Sequence, residues 1–212
     1  MRKQVLLLAV SCKRGGLCPG GIDLDNPSQW IRIVANDGRA GAVQGHEIDF
    51  AKPLDVIEFD GTHTPQGKQQ ENWVINNRSC RKIGSRSTAV LNDVYRQYGY
   101  HGYWNNYKAY LNEDEFEAVT APSESILKVT DVRIYKNQWN GAKIDFKWSG
   151  AIYPFQGVSM TDQNYYDQID NNEVTYNNAY IVISIPKSID DWVNPETGEK
   201  RAYKFVSKIY PI

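Results

Sequence analysis

The chain has 212 residues, enough for one large domain or two small ones and enough to bury a core without disulfides. Hydrophobic residues make up 41% and charged residues 23%, the composition of an ordinary folded protein. A net charge of −1 excludes a global field that would draw the whole chain to nucleic acid or to an acidic membrane.

The two halves differ in charge. Residues 1–110 carry 14 Lys and Arg against 10 Asp and Glu, whereas residues 111–212 carry 10 against 15. A polyanion contact is therefore expected in the first half, and the acidic second half suits a protein partner. Cys12, Cys18 and Cys80 are odd in number and scattered, which argues against a disulfide framework and for a reducing, cytoplasmic setting. Fourteen Tyr and six Trp tilt the composition toward sheet and leave rings to spare for stacking on a ligand.

In chain order, residues 2–10 form a continuous apolar run suited to a strand buried on both faces. Its apolar part, Val5 to Val10, is shorter than the roughly 7–15 residues of a signal-peptide core, and no other stretch has the length of a membrane span. Ser11 to Gly21 holds four Gly and one Pro and is expected to be a loop. Consecutive Gly can turn backbone N–H groups inward as an anion nest, here Gly15 and Gly16 beside the cations Lys13 and Arg14. The spacing is not that of a nucleotide-binding P-loop, and the glycines can equally serve turn geometry alone.

A hairpin follows, Ile22–Asp25 returning through Trp30–Val34, then a short helix over 43–50 and strands over 54–59 and 73–75. Asn77 to Ser87 contains Arg78, Arg81, Lys82 and Arg86 without an acidic residue, either a solvated face or a phosphate contact. Val90, Leu91, Val94, Tyr95 and Tyr98 recur at helical spacing between an N-cap at Ser87 and a C-cap at Gly99. The acidic segment 113–117 and Pro122 mark the boundary between the halves, giving domains 1–110 and 111–212.

In the second half, strands are expected over 125–135, 143–149, 151–155, 179–185 and 203–210, with a short helix capped by Asp162 over 163–169. Lys143 to Ser149 alternates strictly, Ile144, Phe146 and Trp148 on one face and Lys143, Asp145 and Lys147 on the other. Three strands, a helix and two strands is the order of an OB-fold, a five-stranded barrel. The first half can be read the same way, so the fold class is mostly β, two OB-like small β-barrels with a few short helices. The loops after the first and fourth strands of the second barrel contain Trp139, Trp192 and Arg201. Rings beside cations are what single strands require, and Trp192 reads equally as a plug that packs its loop down.

Chemistry-bearing constellations are sparse. His46, His63 and His101 sit apart, and Cys12, Cys18 and Cys80 lack paired metal-ligand spacing, so neither metal nor cofactor is expected.

Four stretches, Ser11-Cys-Lys-Arg-Gly-Gly-Leu-Cys-Pro-Gly-Gly-Ile-Asp, Trp30-Ile-Arg-Ile-Val, Gln70-Glu-Asn-Trp73 and Tyr203-Lys-Phe-Val-Ser-Lys-Ile-Tyr-Pro, together resemble a bacterial family of dual OB domain-containing proteins. They span nearly the whole chain, with Ile33 standing where the family's tryptophan motif carries Pro. The resemblance implies two OB barrels, a bacterial intracellular setting beside defence or mobile-element genes, and no established catalytic residues. By analogy with other OB-folds it implies a non-catalytic module binding single-stranded nucleic acid or a nucleotide. Lys13, Arg14, Gly15, Gly16, Arg32, Arg81 and Lys82 are the candidates for phosphate. Trp30 and Trp73 are candidate stacking rings or, alternatively, core. Other readings are a protein-interaction subunit docking through the acidic half, and a nucleotide-acting enzyme with Cys12 or Asp23 in the chemistry.

Overall fold

The computed structural model describes residues 1–13, 16–26, 29–35, 42–43, 45–76, 79–99, 106–120, 122–149, 151–166, 168–169 and 172–212, with the backbone alone at Lys13, Gly45, His46 and Asp191. The first elements are β1 (Arg2–Lys13), β2 (Gly16–Asp23), β3 (Trp30–Val34), α1 (Gly45–Ile48), β4 (Asp55–His63), β5 (Asn72–Ile75), β6 (Arg81–Ser85) and α2 (Leu91–Tyr98). There follow β7 (Tyr110–Leu111), α3 (Glu113–Glu117), β8 (Glu124–Lys136), β9 (Ala142–Trp148), β10 (Phe155–Met160), β11 (Val174–Ser184), β12 (Ala202–Tyr203) and β13 (Phe205–Pro211). The chain forms two compact units, Met1–Gln97 and Tyr98–Ile212. Among the described residues no helix is long and apolar enough to cross a membrane.

In the first unit β1 pairs antiparallel with both β2 and β4, β3 runs parallel to β5, and β5 antiparallel to β4. The order β1-β2-β3-β5-β4 thus returns to β1, with β6 added to β4. Val5, Leu7, Ile31, Ile33, Ile57, Phe59 and Trp73 fill its interior. The Ser11–Gly21 segment differs from the expected loop: β1 runs on to Lys13 and β2 starts at Gly16, the two residues pairing across the hairpin end. Glycine here serves close approach rather than a turn. A Cβ on Gly21 would collide with the Leu6 carbonyl, and one on Gly16 would come within 2.7 Å of Val43 O.

The second unit is a closed barrel in the order β10-β13-β11-β8-β9, with β10 parallel to β13 and the other pairs antiparallel. Leu127, Ile134, Ile144, Phe146, Phe155, Ile181 and Val206 point inward, Phe146 and Phe155 stacking at 4.9 Å. The third strand lies at Phe155–Met160 rather than 151–155. The ladder shifts register between Phe155 and Val158, and Gly157 takes φ +64°, so the two-residue period of a regular strand is absent there. Asp162 caps the 3₁₀ turn at Gln163–Tyr165 by accepting from Asn164 N, and also receives Lys208 Nζ at 2.9 Å.

Candidate nucleic-acid interface

OB barrels present ligands to the outward side of their second and third strands, between the loops that follow the first and fourth. In the first unit those strands are β2 and β3, and their outward side is closed. Ile31 and Ile33 face the core, so Trp30 and Arg32 face outward, yet Trp30 is 5% exposed and Arg32 is buried with its Nε 3.5 Å from Glu71. Trp73 is 8% exposed and packs in the core, with Lys3 Nζ 4.8 Å from its centroid and His63 at 5.3 Å. Arg81 binds Glu58 and Lys82 binds Asp55, each at 2.6 Å. Arg81 holds the Glu58 carboxyl below its ordinary range, so the negative charge that offsets this cation persists well into acid. Asp23 is buried against Lys3 Nζ at 2.6 Å. Cys12 is exposed, while burial pushes the Cys80 thiol up to about 11. Arg14 and Gly15 lie outside the described residues, as does the Lys13 side chain; Gly16 is buried.

The equivalent side of the second unit is open. Because Ile144 and Phe146 face the core, Lys143, Asp145 and Lys147 face out along β9. Two rows cross the strands. In one, Tyr135, Lys143 and Ser159 lie side by side on β8, β9 and β10, and Lys143 Nζ donates to Ser159 Oγ at 3.0 Å. In the other, Asp145 accepts from Arg133 at 2.7 Å, from the Tyr135 hydroxyl at 3.1 Å and from Gly157 N at 2.7 Å. Arg133 also reaches Glu173 at 3.2 Å, and Lys147 pairs with Asp131 at 2.8 Å. Lys143 alone of these face cations has no carboxylate within ion-pair distance among the described residues. Half-buried, it is pulled below the ordinary lysine pKa by desolvation.

Trp139 stands at the tip of the turn joining β8 to β9 and is 79% exposed. The turn is firm: Asn137 Oδ1 accepts from Trp139 N at 3.2 Å and from Gly141 N at 2.8 Å. Trp192 and Arg201 are instead packed against each other and against the rings of β7 and β12. The Arg201 guanidinium lies 4.4 Å from the Tyr110 centroid and 5.5 Å from that of Trp192, and it donates to Glu199 at 2.6 Å. Trp192 meets Tyr203 edge-on at 5.2 Å. The Lys143 row and the Asp145 cluster are absent from the sequence-derived candidates, although the alternation along β9 had already put Lys143 on the polar face. Among the described residues no group of three or more His, Cys, Asp or Glu is arranged to hold a metal ion.

Two units sharing this strand order define a protein of paired OB-folds. The chain belongs to the family of the dual OB-containing domain, whose model matches residues 3–209. Among solved structures it is similar to the crystal structure of the tetrameric p202 HIN2, at 11% identity and a TM-score of 0.34, over 100% of this chain and 92% of that one. No curated protein matches it.

Proposed function

We propose that this chain is a non-catalytic binding protein for nucleic acid or a nucleotide, and that the outward face of β8, β9 and β10 makes the contact. OB-fold domains generally bind nucleic acids. The observation that carries the reading to this face is Lys143, a half-buried cation with no carboxylate partner among the described residues, on the sheet that follows the exposed Trp139 turn. A phosphate on Lys143 and a base on Trp139 are the two contacts that single-strand binders combine. Lys13, at the end of β1, and the adjacent Arg14 in sequence are a second proposed contact, in the first unit. The proposed setting, a bacterial cytoplasm beside defence or mobile-element genes, rests on the resemblance of motifs alone.

The test is fluorescence anisotropy with a labelled oligothymidylate. Lys143→Ala should weaken binding tenfold or more, since charge-assisted hydrogen bonds contribute about 1.5–3 kcal/mol. It should also reduce the dependence of log affinity on log salt by about 0.7, the share of one phosphate on a single strand. Affinity and slope both unchanged would overturn the assignment to this face, and Lys13→Ala/Arg14→Ala would then report whether the first unit makes the contact instead.

A further inference from the structure

We infer that the outward face of β9 is a path for a single strand gripped by rings at both ends, Trp139 at one and the Tyr107–Tyr153 pair at the other, so that the ligand is a strand rather than a free nucleotide. The inference rests on the reading above and deepens it.

Trp139 lies in the turn that enters β9, and Tyr153 in the loop that leaves it toward β10, so topology places the two at opposite ends of the same strand. Seven extended residues span roughly 20 Å. That is about six steps at the roughly 3.4 Å spacing of stacked bases, and fewer in an extended strand, which sets the path at about four to six nucleotides. This falls within the range of roughly 4–16 nucleotides that an OB-fold covers.

Both ends are exposed. Tyr107 and Tyr153 are 47% and 56% exposed, with centroids 4.7 Å apart and planes at 59°, so neither ring is stacked flat on the other. The backbone on either side of Tyr107 is held by one side chain. Lys204, 0% exposed, donates from Nζ to Asn106 O at 2.9 Å, to Asn106 Oδ1 at 2.6 Å and to Lys108 O at 2.9 Å. Asn106 in turn donates to Glu115 and to Tyr110 O, which ties the segment to α3 and β7. A backbone anchored before the ligand arrives has less freedom to lose on binding. Between the ends lies Lys143, and exposed ring faces suit unpaired bases because duplex bases already cover one another.

The experiment measures binding of thymidine monophosphate and of oligothymidylates of increasing length to the intact chain. Parent affinity should climb up to about four to six nucleotides and then level off. Trp139→Ala and Tyr153→Ala should each weaken the longer strands about tenfold and flatten the rise with length, while Tyr153→Phe, which keeps the ring, should behave as the parent. These are exposed positions, and unchanged thermal melting of each variant shows the fold kept. Mononucleotide binding as tight as that of long strands, or an unaltered length dependence in both ring variants, would overturn the inference. If Lys143→Ala still weakened binding in that case, the functional reading would stand without it. A parent chain that binds no oligonucleotide and no nucleotide would remove both.

Discussion

Lys204 is an ammonium enclosed by oxygen acceptors from Asn106 and Lys108, with the Phe155 ring 4.9 Å away. Desolvation pulls its pKa down to about 7; Glu115 opposes the shift and Lys108 adds to it. In the unfolded chain a lysine keeps its proton to roughly pH 10.4. Between those values the unfolded state binds a proton that the folded state lacks, so the contribution of Lys204 to stability rises with pH from about 7 to about 10.4 and is flat below. Lys204→Met should lose that slope, up to about 1.4 kcal/mol per pH unit. Urea denaturation of parent and variant at neutral and alkaline pH checks it, and parallel curves would show that Lys204 does not titrate in this window. The same side chain anchors the backbone on either side of Tyr107, so a single residue links interior electrostatics to the presentation of a surface ring.

Among the elements, β9 was the most legible. Its inward Ile144 and Phe146 and outward Lys143, Asp145 and Lys147 stand where strict alternation put them, because a regular strand has a period of two. The β10 strand was not legible, since a left-handed Gly157 and a register shift break that period. The hairpin of β1 and β2 was hidden for a different reason. Its glycines resemble loop punctuation locally, but the partner strand requires their missing side chains. Gly21→Ala should therefore cost about 3 kcal/mol, as its methyl meets backbone that cannot give way. Gly84→Ala in β6, whose Cβ would meet only Val56 Cβ at 3.9 Å, should be near neutral. Equilibrium denaturation of the pair gives the comparison, and equal costs would contradict the close approach of β2 to β1.

At the scale of the whole molecule, net charge proved a poor guide to local charge. The first half carries the basic excess, yet Arg32, Arg81 and Lys82 stand beside Glu71, Glu58 and Asp55, whereas the acidic second half holds Lys143, which has no carboxylate partner among the described residues. With Lys143 and Lys147 the outward cations of β9, binding through this face should depend only shallowly on salt, log affinity falling with log salt at a slope of about −1 to −2. A titration series across ionic strength measures it, and a much steeper slope would mean that more cations contact the ligand than the β9 face supplies. Composition, alternation and turn residues by themselves determined a mostly β chain of two OB-like halves, because those signals are local and repeat within each strand. Tertiary structure alone decided that Trp139 reaches solvent while Trp30 and Trp73 do not, and that Lys143 meets Ser159 rather than a carboxylate among the described residues. Both depend on register and barrel closure, which bring together residues as distant in sequence as Arg81 and Glu58 or Lys143 and Ser159.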